Sequence, residues 1–153
     1  MIIPLKTVIS GELYTSWCTL PYPSHLNGCP MYGKRVICPP DAPLFDELVE
    51  PPFYLVLQEF DLEKWVKSLK EKHSGMTEAQ CRIPYLWQGR VRKSLLAEAN
   101  KFLWSFPRGV VLEKPEANGV NCFSTCRLHG ITLEKNPQKI VKMMMIIGGK
   151  RTA

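Results

Sequence analysis

The sequence predicts an α/β fold: a single small layered domain of about three strands with packed helices, plus an irregular N-terminal segment rich in proline and cysteine. Three observations predict it. Phe53–Phe60, Gly109–Lys114 and Ile140–Gly149 are apolar runs of strand length bounded by turn residues. Between them, apolar residues recur at helical spacing. Eight of the thirteen prolines lie between Pro21 and Pro52, where each removes an N–H donor and fixes φ, so regular helix or central strand is not expected there. A chain of 153 residues suits one domain, 1–153, divided into a Cys/Pro-rich metal-binding segment, 14–52, and an α/β core, 53–149.

The elements follow in order. After the first strand, Asp61 can cap a helix whose apolar face is Leu62, Trp65, Val66 and Leu69, ending near His73–Gly75. Thr77 can cap the next segment, which Pro84 kinks or restarts. From Leu86, the residues Val91, Leu95, Ala99, Phe102, Leu103 and Phe106 keep helical spacing up to Pro107. A strand over Gly109–Lys114, a turn at PEANGVN, a short helix in NCFSTCRLHG stopped by Gly130, a turn at Asn136–Pro137 and a last strand complete the order β, α, α, β, α, β. Sheet order and parallelism are not readable from it. No internal repeat occurs, and GKRTA reads as a frayed basic tail.

Composition excludes several classes. With 45% apolar and 22% charged residues the chain is not disordered. No run of about 18 apolar residues occurs, so no membrane-spanning helix or membrane partner is expected. Pro4 and Lys6 interrupt the opening MIIPLKTVIS and no small-residue cleavage pattern follows, which argues against a secretory signal and for a cytoplasmic protein. A net charge of +6 is compatible with a polyanionic partner without requiring one.

The six cysteines carry the chemistry. In a reducing compartment, clustered thiols more often bind metal or do redox work than pair as disulfides. Cys18, Cys29 and Cys38 follow one another at spacings of ten and eight intervening residues, with His25 inside the first interval. Soft thiolates suit zinc and iron–sulfur clusters, and Lys34 and Arg35 between two of the thiols would offset negative charge. No C-x2-C pair is present, so the zinc-ribbon and ferredoxin spacings do not apply. Free cysteine is also a common core residue, but three in one irregular segment favour a metal site. The fourth ligand is expected from Cys81, which precedes Arg82 where the helix pair begins, or from His25; Cys81 reads equally well as a core residue. Cys122, Cys126 and His129 share one helix face, as a second zinc site or a core-facing stripe would.

HLNGCPMYGKRVICPPDAP resembles the signature of a cysteine-rich family of predicted metal-binding proteins found mainly in anaerobic bacteria and archaea. In that family a Gly-Cys, a Tyr-Gly-Lys/Arg and a Cys-Pro-Pro recur in this order, matched here by Gly28–Cys29, Tyr32–Gly33–Lys34 and Cys38–Pro39–Pro40. KPEANGVNCFSTCRLHGITLE is similar to the family's Pro-x-x-Glu-Ala-x-Gly segment near its C-terminus. Longer members carry a further ferredoxin-like cysteine motif before that segment. Here Phe106 to Pro115 holds no cysteine, so the chain resembles a short form. The resemblance implies a metal or iron–sulfur site on the N-terminal thiols and carries no established reaction.

Two stretches could bind a substrate. YLWQGRVRK combines aromatic faces, an amide and cations in Trp87, Gln88, Arg90 and Arg92, as a nucleotide or nucleic-acid site would, or as a helix with its aromatics in the core would. The turn PEANGVN adds Glu116 and Asn118. No catalytic acid, base or nucleophile can be assigned. The sequence favours a metal-binding protein with an iron–sulfur cluster, serving redox, sulfur-transfer or Lewis-acid chemistry with a redox partner or small-molecule substrate. The alternative is a zinc-stabilised nucleic-acid-binding module, or an enzyme of nucleobase or nucleic-acid modification.

Overall fold

A computed structural model describes residues 1–22 and 25–152. Pro23 and Ser24 of the Cys/Pro-rich segment, and Ala153 of the expected basic tail, lie outside them. Strands β1 (Ile2–Leu5), β2 (Val49–Asp61), β3 (Gly109–Leu112) and β4 (Ile140–Lys150) form one antiparallel sheet in the order β1-β2-β4-β3. The helices are α1 (Glu12–Thr15), α2 (Phe45–Leu48), α3 (Leu62–Lys72), α4 (Glu78–Cys81), α5 (Gln88–Leu103) and α6 (Cys122–Leu128). The α/β class holds, with four strands instead of about three. The added strand is β1, whose four residues have no periodicity of their own. Pairing makes it a strand, Ile2 opposite Val56 and Leu5 opposite Phe53, and its place at the sheet edge accommodates Pro4.

One expectation needs correction. The proline-rich stretch was not expected to enter a central strand, yet β2 begins at Val49 and runs through Pro51 and Pro52. The β2–β4 register shifts between Glu50 and Phe53, so the two prolines occupy an irregularity where no ladder N–H is needed. The expected tail is also shorter, because Gly149 and Lys150 belong to β4.

Alternation along the strands divides the core between two faces. Leu55, Leu57, Leu112 and Ile146 pack on one side with Phe45, Val49, Val120 and Cys126. Val56, Met145 and Ile147 pack on the other against Leu95 and Ala99 of α5. A third cluster joins Leu62 and Val66 of α3 to Cys81, Trp87, Val91 and Val141. Full burial of each large apolar side chain contributes about 1.5–3 kcal/mol. Local signals set the helix starts. Asp61 accepts from Lys64 N at 2.8 Å, Thr77 and Gln80 form a reciprocal capping box, and Asn121 accepts from Ser124 N at 3.0 Å. Pro84 opens a 3-10 turn, Pro84–Leu86, from which α5 starts afresh. Among the described residues, no helix is long and apolar enough to cross a membrane.

The strands differ in length, and that positions the cleft. β3 pairs only with Ile146–Gly149 of β4, so Met143–Met145 meet β2 on one side and no strand on the other. The chain leaves β3 at Glu113 and turns away through the 3-10 turn Pro115–Asn118.

Candidate metal centre

The Cys/Pro-rich segment folds as a series of turns, each presenting one thiol. Cys18 sits in the 3-10 turn Ser16–Thr19 that continues α1. Tyr22 and His25 exchange backbone hydrogen bonds of 3.1 and 2.9 Å, and Gly28 N donates to His25 O, which turns the chain back. Cys29 N then donates to Cys18 O at 2.7 Å. The intervening Gly28 has φ +82°, and a Cβ there would lie 2.7 Å from Cys18 O and from Thr19 backbone atoms, so only glycine fits. Further on, Gly33 N donates to Pro39 O at 2.7 Å and Cys38 N to Arg35 O at 2.9 Å. These bonds fold the Tyr-Gly-Lys turn against the Cys-Pro-Pro turn and bury Cys38.

The thiols feel one another's charge. Burial raises the Cys18 pKa, and Cys29, Glu116 and Cys38, in that order, raise it further. The Tyr22 phenol is likewise raised, by desolvation and by the Cys29 and Cys18 thiols. Cys18, Cys29, Cys38, Tyr22 and Glu116 therefore share one neighbourhood. Lys34 and Arg35 are exposed on the turn between Cys29 and Cys38.

Glu116 comes from far along the chain, and backbone bonds bring it there. Gly11 N donates to Gly119 O at 2.9 Å, Asn121 N to Ile9 O at 2.7 Å, and the Asn118 amide to Pro43 O at 2.8 Å. Gly119, at φ +78°, has Gly11 O where a Cβ would stand, 2.6 Å away. The Cys/Pro-rich segment and the PEANGVN turn therefore belong to one packed unit. Glu116 is solvent-accessible at its edge, but the protein mass around it desolvates the carboxyl and raises its pKa; the nearby Arg92 partly opposes this.

The other expected site residues fall in different places. Cys81 is fully buried among Leu62, Val66, Trp87, Val91 and Val141, at the end of α4, the core placement the sequence left open beside a ligand role. His25 is exposed on the thiol-bearing loop, its ring 4.8 Å from that of Tyr22. Trp87 is a correction. It is buried, stacks on Phe60 at 5.1 Å and 16°, and donates its indole N–H to Arg82 O, leaving no face for a base. Arg90 lies over the Trp65 ring at 5.3 Å. Gln88, Arg92 and Glu116 converge on a cavity of about 240 Å³ along the unpaired stretch of β4. Arg92 and Asn118 also line a larger one of about 540 Å³ beside β3.

Among the described residues, Cys122, Cys126 and His129 are not gathered as a ligand group. Burial raises the Cys122 thiol well above its ordinary range and the Cys126 thiol to about 11, and Cys126 contacts Met144 Sδ at 3.4 Å. His129 Nε2 accepts from Lys6 N at 2.9 Å, and Nδ1 lies 2.8 Å from Thr125 O, so both ring nitrogens are engaged. The shared helix face is a core stripe. Sequence reasoning missed Tyr22 beside the thiols and Glu113 in the cleft; neither sits in a pattern that announces its chemistry.

Among the described residues, no three His, Cys, Asp or Glu side chains are already drawn together closely enough to hold a single ion. The chain matches no family model, no curated protein and no solved structure at a significant level.

Proposed function

We propose that this chain is a metal-binding protein that holds an iron–sulfur cluster on Cys18, Cys29 and Cys38. The observation that carries the reading is the shared neighbourhood of three thiols on separate turns of one segment, two of which add to the raised pKa of the third. Neighbouring thiolates repel one another, so such an arrangement is disfavoured alone and favoured once a cationic centre binds. The donor types suit that group: three thiols lie on one segment, Gly28 fixes the backbone between two of their turns, and Lys34 and Arg35 stand exposed between Cys29 and Cys38.

In this reading the chain's own residues divide the work. Cys18, Cys29 and Cys38 supply the thiolates, and Tyr22 stands beside Cys29. Glu116 and the exposed His25 are the nearby groups for the remaining position, in place of the core residue Cys81. A bound cluster would supply electron transfer or, at an iron without a protein ligand, Lewis-acid or sulfur-transfer chemistry. The likeness of both thiol-bearing and Glu-Ala-x-Gly stretches to a metal-binding family supports the same reading. The nucleic-acid alternative is less well supported, because Trp87 is a core residue and Arg90 and Arg92 point to different cavities.

The test is the visible spectrum of the chain purified without oxygen. A brown protein with broad absorption near ~400 nm, as thiolate-bound clusters give, is expected, with the band lost on Cys18→Ser, Cys29→Ser or Cys38→Ser and kept in Cys81→Ala. A colourless wild-type chain, or colour that survives all three serine variants, would overturn it.

A further inference from the structure

Arg92 occupies an unusual position. It extends from α5 into the junction of two adjoining cavities, of about 240 and 540 Å³, and lines both together with Glu113. It makes no ion pair or side-chain hydrogen bond among the described residues. The contrast with other arginines is plain: Arg82 pairs with Glu78, Arg108 with Glu50, Arg151 donates to Asp46 O, and Arg90 lies over Trp65. Arg35 and Arg127 are exposed, whereas Arg92 is half-buried. A half-buried guanidinium with five donors and no hydrogen-bonded partner among the described residues is placed to receive an acceptor from outside.

The larger cavity describes what that acceptor is attached to. Its walls are mainly apolar: Ile37, Pro43 and Leu48 from the N-terminal segment face Val110 and Leu112 of β3. The charged lining is Arg92, Lys114 and Glu113, two cations and one carboxylate, and Asn118 has already committed its amide to Pro43 O. Arg92 also faces Glu116 of the smaller cavity, so two cations meet two carboxylates across the junction, a balance that tolerates a monoanion better than a dianion such as phosphate. Its volume falls within the range of small-molecule sites. We propose that this cavity binds a small organic monocarboxylate with an apolar body, which lies on the Leu48–Leu112 wall while its carboxylate bonds to Arg92.

The site is assembled by the same docking that forms the thiol neighbourhood, since the loop carrying Ile37 lies between the Cys29 and Cys38 turns. Binding itself needs no metal, and the proposal does not rest on the cluster reading.

The test compares hexanoate with 1-hexanol, which has the same body and no charge, by titrating the 15N-labelled full chain and following amide shifts. Hexanoate is expected to move the Arg92 and Val110–Lys114 signals and to bind about tenfold more tightly than hexanol, the worth of one charge-assisted contact. Arg92→Gln should bring hexanoate down to the level of hexanol, Arg92→Lys should retain part of the preference, and Arg90→Gln should change neither. An unchanged thermal midpoint in Arg92→Gln keeps the comparison valid. Equal affinity for the two probes, an Arg92→Gln chain that keeps its preference, or no shift at these amides would overturn the proposal.

Discussion

Gly28 lies against the backbone carbonyl of Cys18 so closely that a Cβ would stand 2.7 Å from its oxygen. The contact sets the Cys29 turn on the Cys18 turn, with the Cys29 N–H bonded to the same carbonyl. Gly28→Ala must therefore move backbone, whereas Gly33→Ala meets only the strain of a positive φ, with no atom within 4 Å of its Cβ. We expect Gly28→Ala to lose most of its bound iron with α/β circular dichroism retained, and Gly33→Ala to keep its iron at a cost of about 1 kcal/mol. Equal iron content in the two variants would contradict the role given to Gly28.

Cys81 separates a core thiol from a ligand. It is fully buried in apolar surroundings, so Cys81→Ala should cost about 1 kcal/mol through the small cavity it leaves and leave the iron content unchanged. Urea denaturation and iron analysis on one preparation read both. Iron loss in this variant without loss of fold would restore Cys81 as a ligand.

Cys126 makes stability depend on alkaline pH. Desolvation raises its thiol from 9.0 to about 11, while Lys142 opposes this. The folded state thus holds the proton more tightly than the unfolded chain. The stabilising contribution is fully present below pH 9 and is lost as pH rises through 11, and it amounts to about 3 kcal/mol. Cys126→Ala should be less stable than wild type at pH 8, and the gap should narrow towards pH 11. A constant gap across that range, measured by denaturant unfolding, is the opposing result.

Thr125 ties the N-terminal segment to α6. Its hydroxyl is fully buried and accepts from Ile9 N at 3.0 Å. Thr125→Val keeps the shape and leaves that N–H without a partner, at a cost of about 1–3 kcal/mol, whereas Thr125→Ser should recover most of it. Hydrogen exchange at Ile9 should rise in the valine variant. Unaltered exchange there would mean that the docking does not depend on this bond.

Much of the core was legible because it is periodic. The α3 stripe from Leu62 to Leu69, the α5 stripe through Val91, Leu95 and Ala99, and the apolar run of β4 all bury the faces their spacing predicts. Strand β1 was not legible, because four residues gain strand geometry only from their partner, and the Pro51–Pro52 entry into β2 depends on an irregular register. At the site, the sequence places Cys18, Cys29 and Cys38 in one proline-stiffened segment, and their joint binding of a metal is a proposal. Glu116 beside Cys18 was not legible, because backbone pairing between residues 9–11 and 119–121 brings it there without a side-chain signature. The aromatic-basic stretch misled for a physical reason: Trp87 and Arg92 are five positions apart around the start of α5, so one turns into the core and the other toward the cleft.

Iron and acid-labile sulfide per chain, measured on protein purified without oxygen, test the central claim most directly. The account predicts both in comparable amounts, about four of each for a cubane held by thiolates, and their loss together in Cys29→Ser. One zinc per chain with no sulfide, or neither metal, would contradict it and leave the three thiols as structural residues.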